Sequence, residues 1–122
     1  MKSLSVEQFQ EEIKSQGMSD RFHVAFKCPM CKTIQSMRSF TAVGVDEYTS
    51  ELMIGFSCVG RFTGAPGPRK EPDGQPCNWT LGGLFKSHEM EVVDSNGKVH
   101  LYFDLATSEQ AKQLEESLCQ NH

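Results

Sequence analysis

Apolar residues recur at helical spacing near both ends of the chain. The residues with this spacing are Val6, Phe9 and Ile13 in the first segment, and Ala111, Leu114 and Leu118 in the second. Intervals of three and four residues place side chains on one face of a helix. Ser5 and Ser108 are suitable N-caps, and Gly17 is a suitable end for the first helix. The pattern predicts one helix at about 5–16 and another at about 108–119.

Between these helices the pattern changes to the alternation that is typical of strands. Strand-like segments fall at 21–26, 33–40, 52–58, 78–85 and 88–93. A polar turn is expected at about 46–50, and Asn96-Gly97 predicts a β-hairpin over about 88–105. The preceding β region, about 21–86, contains four of the five cysteines.

Glycine and proline dominate residues 60–76, where no hydrophobic period is visible. Structureless loops of this length are uncommon inside compact domains unless they are functional or anchored. Cys58 and Cys77 flank the segment, so a metal ion bound by both would clamp its two ends. We therefore predict a long loop anchored by a metal site.

The cysteines give the strongest chemical signal. Cys28 and Cys31 have the two-residue gap of a zinc knuckle, and Cys58 and Cys77 each follow a predicted strand or loop. Four thiolates form the closed tetrahedral donor set of a structural zinc site. The spacing predicts one structural Zn²⁺ bound by these four residues, and leaves Cys119 as a free thiol.

Other interpretations of these cysteines stay open. They are also compatible with small buried hydrophobic residues, or with a redox-active Cys-x-x-Cys pair. A redox pair opens a helix after a strand, whereas the segment 33–40 lacks helical amphipathicity. If one cysteine is not a ligand, His23 and His88 are the substitutes.

The sequence lacks the residues that catalytic zinc needs. Catalytic sites keep an open coordination position and a nearby carboxylate, whereas residues 21–45 contain no Asp or Glu. The HExxH motif, the deaminase signature and the phosphate-binding loop are all absent. We expect a protein that is not an enzyme.

Charge is distributed unevenly along the chain. The net charge is −4, yet residues 21–45 carry four basic side chains and no acidic one. The candidate binding residues near the cysteines are Lys27, Lys32, Arg38, Arg61, Phe62, Arg69, Lys70 and Trp79. This basic, aromatic set suits an acidic protein partner, which is the favoured interpretation, or nucleic acid as the alternative. The same cations would also balance the negative charge of a zinc–tetrathiolate centre, and Trp79 would shield the metal.

Length and hydropathy complete the prediction. With 122 residues and 38% hydrophobic content, the chain suits one domain over 1–122. We predict an α+β fold: a small, mostly antiparallel sheet with a distorted zinc-ribbon-like centre and one helix at each terminus. No apolar signal or membrane-spanning segment is visible, so we expect a cytoplasmic protein that does not bind membranes. The oligomeric state is not predicted.

Three motifs carry a resemblance to a known group. FKCPMCKTIQSMRSF, GFSCVGRFTGA and CNWTLGGLF occur in this order, and with their surroundings they span about residues 22–90. In this respect the chain resembles small zinc-ribbon-like proteins of tailed phages and enterobacterial prophages. The resemblance implies a protein made in an infected bacterial cytoplasm. By analogy with other small accessory phage proteins, it implies binding to a host or phage protein, including inhibition of a host defence.

Overall fold

The computed structural model describes residues 2–81 and 90–120, with the side chains of Lys2, Cys119 and Gln120 excepted. The predicted ligand substitute His88 and the second half of the strand expected at 78–85 lie outside the described residues. In the first half, Thr80 forms only an isolated bridge with Ser57, so 78–81 is not a strand. The strands and helices of the protein, in chain order, are β1 Lys2–Ser5, α1 Val6–Ser15, β2 Phe26–Lys27, β3 Ile34–Gln35, α2 Met37–Thr41, α3 Glu47–Met53, β4 Met90–Val93, β5 Val99–Tyr102, β6 Asp104–Leu105 and α4 Ser108–Gln120. Short 3₁₀ turns occupy Arg21–His23 and Val59–Phe62.

The strands form two small three-stranded sheets. The first has the order β1-β4-β5, with β1 parallel to β4 and β5 antiparallel to it. The second has the order β3-β2-β6 and is antiparallel throughout. The mixed α/β content agrees with the predicted class, but the single sheet we expected is divided into two.

The predicted terminal helices and the hairpin are present. Ser5 caps α1 through a reciprocal pair of hydrogen bonds with Gln8, and Gly17 follows the helix with a φ of +69°. The hairpin joins β4 to β5 through a turn in which Gly97 has a φ of +79°. At α4 the reciprocal capping bonds join Thr107 and Gln110, one residue before the expected cap. Among the described helices, none is both long enough and apolar enough to cross a membrane.

Two segments predicted as strands are instead partly helical. Residues 33–40 contain only the two-residue β3, after which α2 buries Met37 and Phe40 at helical spacing. Instead of a polar turn at 46–50 and a strand at 52–58, the chain forms α3 followed by a turn. The carboxylate of Asp46 accepts the Thr49 N–H and so caps α3. Both helices are short, so their apolar residues resemble a strand pattern more than a helical period.

The core lies between these helices and sheets, and it includes the cysteines. Phe40, Met90 and Phe103 are fully buried, and the partly buried Phe9 and Tyr102 pack their rings 5.1 Å apart between centroids. A smaller cluster contains Ala25, Ala106 and Ala111, with Leu114 packed against it. Phe9 of α1 and Ala111 and Leu114 of α4 therefore pack within the chain. Of the segment predicted as a strand at 21–26, only Phe26 is in a strand, because a 3₁₀ turn occupies Arg21–His23.

Candidate metal centre

The four predicted ligand cysteines converge at one point in the core. All four Sγ atoms lie within 4.8 Å of one another. Cys28, Cys58 and Cys77 are 0% exposed, and Cys31 is 1% exposed. The Sγ atoms of Cys31 and Cys58 are 3.7 Å apart, and those of Cys28 and Cys77 are 3.9 Å apart. This group could hold a metal ion.

The first half of the centre is a tight knuckle between β2 and β3. The Cys28 N–H donates to the Thr33 carbonyl at 3.0 Å, and the Lys32 N–H donates to the Cys28 carbonyl at 3.0 Å. Lys32 adopts the left-handed conformation, with a φ of +66°, which turns the chain back immediately after Cys31. The backbone N–H groups of Met30 and Cys31 hydrogen-bond the Cys28 sulfur. The knuckle thus places backbone N–H donors beside the Cys28 sulfur, which would carry a negative charge when it binds a metal ion.

Cys58 enters the centre from the turn that follows α3. Its N–H donates to the Trp79 carbonyl at 2.9 Å, next to the isolated bridge between Ser57 and Thr80. The backbone N–H groups of Cys77 and Gly60 hydrogen-bond its sulfur, the first at a distance of 3.4 Å. This arrangement resembles the knuckle but is assembled from two distant chain segments.

The 60–76 loop begins and ends at the centre, as its flanking cysteines predicted. A Cβ on Gly60 would lie only 2.4 Å from the Cys77 carbonyl oxygen, so no larger residue fits where the loop closes. The Gly74 N–H donates to the Cys31 carbonyl at 2.9 Å, and the Asn78 N–H donates to the Pro66 carbonyl at 3.1 Å. The loop is therefore bonded to both halves of the centre, although its residues from 69 to 75 are exposed.

Gln35 joins the two halves and was missed by the sequence analysis. Its side chain is 0% exposed, and its Nε2 donates to the carbonyls of Ile54 and Ser57, both at 2.8 Å. Its Oε1 accepts the Val59 N–H at 2.8 Å. These three hydrogen bonds all join the amide to the segment that carries Cys58. A polar residue in a predicted strand was the only signal in the sequence.

The pKa values of the cysteines reflect their close packing. The hydrogen bond from Cys28 lowers the pKa of the Cys58 thiol to about 5, and that same bond raises the pKa of Cys28. Burial raises the pKa of Cys77 to about 12. Because the four buried sulfur atoms lie within 4.8 Å of one another, several negative charges here would repel one another unless a cation lay among them.

The donor set fits a thiophilic divalent ion. Four buried sulfur atoms match the closed tetrahedral site of zinc, for which sulfur is a preferred ligand. The Cys31 sulfur also lies 3.0 Å from the Thr33 hydroxyl, which adds a side-chain hydrogen bond to the backbone donors. Such contacts are typical of groups that orient and stabilise metal ligands. His23 is not among the side chains that converge at the centre, and its Nε2 lies 3.8 Å from the Glu115 carboxylate instead.

The predicted binding residues fall into two classes. Lys32, Arg61, Phe62 and Lys70 are exposed, whereas Lys27, Arg38 and Trp79 are half-buried. The Phe62 ring is 38% exposed and packs edge-on against Phe40, with centroids 5.6 Å apart. The Arg38 guanidinium lies over the Phe22 ring, 4.6 Å from its centroid. The half-buried residues thus have contacts within the fold.

Arg69 has a further role inside the loop. Its guanidinium donates to the carbonyls of Gln75 and Pro76 at 3.2 and 3.1 Å, and it pairs with Asp73 at 3.3 Å. The residue thereby supports the backbone that leads into Cys77. The Trp79 indole Nε1 is buried and has no hydrogen-bond partner within the described part of the chain.

Comparison with known proteins identifies a family. A family model described as VVA0879-like matches residues 5–106, a range that includes all four cysteines and Gln35. No curated protein and no solved structure matches this chain. The match confirms that the chain has a family of relatives, while the phage origin stays a prediction. Because the matched range covers most of the sequence, the chain belongs to the VVA0879-like family.

Proposed function

We propose that Cys28, Cys31, Cys58 and Cys77 bind one Zn²⁺ and that this ion has a structural role. The observation that carries the proposal is the convergence of four buried sulfur atoms from three distant segments. A closed set of four protein ligands leaves no position for a substrate or a reactive water. Zinc bound here would supply free energy of folding, because the ligands are brought together only in the folded chain.

A binding module that is not an enzyme suits this centre better than a redox protein does. Redox-active Cys-x-x-Cys pairs are partly exposed and open a helix, whereas Cys28 and Cys31 are buried and lead into β3. The arrangement of the four sulfur atoms supports metal binding by all four thiolates rather than thiol–disulfide exchange between two of them.

The proposed binding surface is the exposed side of the 60–76 loop. Arg61 and Lys70 are exposed there, with the partly exposed Phe62 beside Arg61. The bonds from the loop to the metal centre fix its shape before binding, which reduces the entropy lost on association. An acidic protein surface with an apolar position for Phe62 is the partner that this combination fits best.

Nucleic acid is the second candidate, and the exposed cations Lys32, Arg61 and Lys70 favour it. Proteins that bind single-stranded nucleic acid usually present aromatic rings on which the bases stack. Trp79 is half-buried, and Arg69 is engaged by its own loop. The surface therefore supports a protein partner more strongly. The resemblance to phage proteins suggests that the partner is met in the cytoplasm of an infected bacterium.

Affinity purification from a bacterial lysate tests the binding proposal. We expect a protein that is retained by the wild type, lost with Arg61→Glu/Lys70→Glu and kept with Lys98→Glu, an exposed residue in the hairpin turn. Nuclease treatment and a salt titration distinguish the second candidate, since binding to several phosphates weakens steeply with salt. Retention that all variants share, or that needs nucleic acid, would contradict the favoured function.

A further inference from the structure

Helix α3 departs from the usual amphipathic pattern at three positions. Its small polar residue Ser50 is 0% exposed, whereas Tyr48 is 72% and Leu52 is 55% exposed. Tyr48 and Leu52 are four residues apart, so they lie side by side on one face of the helix. The fold therefore exposes the two larger apolar residues and buries the serine.

Contacts on the other side of the helix fix this orientation. The Ser50 hydroxyl donates to the Asp46 carbonyl at 2.8 Å, and Ile54, directly after the helix, is buried. Met53 packs against the core, and α3 packs against α2. Rotating the helix to bury Tyr48 would withdraw Met53 and Ile54 from the core and disrupt the packing against α2, whereas the bond from Ser50 to Asp46 lies within the helix and would not change. Folding of the described chain thus makes little use of Tyr48 and Leu52.

Exposed apolar residues are concentrated here. Single exposed hydrophobic side chains are ordinary, whereas a group of them marks an interaction site. Of the five large hydrophobic residues exposed in the described chain, three lie between Val43 and Leu52. Val43 is 43% exposed and lies in the connection between α2 and α3.

An acidic row borders the apolar residues. Glu47 and Glu51 each precede one of the two apolar residues, so they form a parallel stripe on the same helix, and both are exposed. Arg21 lies 3.6 Å from Glu51, but both side chains are more than half exposed, and such pairs contribute little. The surface keeps its negative character, which opposes nucleic acid and anionic lipid.

We propose that Tyr48 and Leu52, bordered by Glu47 and Glu51, dock an amphipathic protein segment whose apolar stripe is flanked by lysine or arginine. The two apolar side chains would anchor the segment, and the acidic row would select its charge. This surface is opposite in charge to the 60–76 loop. It is therefore a second interaction site, independent of the binding function proposed for the loop.

Two synthetic helical peptides test the proposal, one made of leucine and lysine and one with glutamate in place of lysine. We expect the leucine–lysine peptide to shift the amide NMR signals of α3 and the glutamate peptide to leave them unchanged. Tyr48→Ser/Leu52→Ser keeps every charge and should weaken binding at least tenfold. Val99→Ser removes an apolar side chain that is 47% exposed elsewhere and should have no effect.

Several results would overturn the proposal. Equal binding of both peptides would show that the acidic row does not select the charge of the segment. Unchanged binding by Tyr48→Ser/Leu52→Ser would show that these two side chains do not anchor it. Signals of α3 that shift with protein concentration alone would indicate a second copy of the chain as the occupant. Binding of phosphatidylglycerol vesicles through these residues would indicate a lipid surface. Arg61→Glu/Lys70→Glu should bind the peptide normally, which separates this test from that of the loop.

Discussion

The Val59 N–H donates to the Gln35 side-chain oxygen across 2.8 Å in the fully buried interior. Gln35 follows the knuckle that contains Cys28 and Cys31, and Val59 follows Cys58. The bond therefore connects the two halves of the proposed metal site, and two further bonds from Gln35 to Ile54 and Ser57 strengthen the connection. We interpret Gln35 as a residue that positions Cys58.

Gln35→Leu should disturb the metal centre as well as the fold. It would leave three backbone groups unpaired in the core, each costing about 1–3 kcal/mol, so we expect a loss of about 3 kcal/mol or more in the free energy of unfolding. In protein reconstituted with Co²⁺, the thiolate-to-cobalt absorption should also weaken, because Cys58 is no longer held in place. Urea denaturation and absorption spectroscopy measure the two effects.

Gln16→Leu is the matched control. Gln16 is 2% exposed and makes the same three kinds of bond, to the Ala25 and Ala106 carbonyls and from the Ala25 N–H. Gln16→Leu should lose about as much stability as Gln35→Leu and keep the cobalt spectrum of the wild type. If both variants keep that spectrum, Gln35 does not position the ligand.

Gly60→Ala should prevent proper closure of the 60–76 loop. The added Cβ would lie 2.4 Å from the Cys77 carbonyl oxygen and 2.8 Å from the side chains of Ala65 and Pro76. Overpacking of this kind costs about 1–3 kcal/mol and here would also displace Cys77. Thermal unfolding should show a lower midpoint. Gly67→Ala, where the nearest atom is 3.8 Å away, should change stability by less than about 0.5 kcal/mol. Equal effects of the two variants would refute the steric argument.

Asp94 should contribute to the pH dependence of stability. The hydrogen bond from His100, at 3.1 Å, lowers the pKa of the Asp94 carboxyl below its ordinary value, with help from the Lys98 N–H. A group whose pKa is lowered by folding stabilises the protein above its unfolded value, about 4, and this stabilisation is lost as the pH falls through the lower folded value.

Asp94→Asn should therefore lose less stability than the wild type between about pH 5 and pH 2. Thermal unfolding at a series of pH values measures the difference between the two curves. Glu116→Gln, on the exposed face of α4, should follow the wild-type curve. Parallel curves for Asp94→Asn and the wild type would show that the hairpin carboxylate is not a source of acid sensitivity.

The sequence was sufficient to predict the features that depend on local spacing. The Cys28-x₂-Cys31 knuckle, the helices α1 and α4 and the Asn96-Gly97 hairpin all have short-range signals. The convergence of Cys58 and Cys77 on the knuckle followed from the need to anchor the loop between them.

Features that depend on distant contacts were missed. The parallel pairing of β1 with β4 joins Lys2 to Met90, which no local pattern indicates. Helices α2 and α3 are too short to show a period, and their form depends on capping and on burial against the core. Gln35 acquires its role only when the segment 54–59 folds over it. Long-range partners of this kind are not encoded in neighbouring residues.

The metal content of the purified chain tests the central claim most directly. Native mass spectrometry of the wild type should give one zinc ion per chain. Cys31→Ser and Cys77→Ser should lose the ion and much of their folded structure, whereas Cys119→Ser should keep both. A wild-type protein that contains no metal, and that unfolds cooperatively at the same temperature with and without a chelator, would contradict the account.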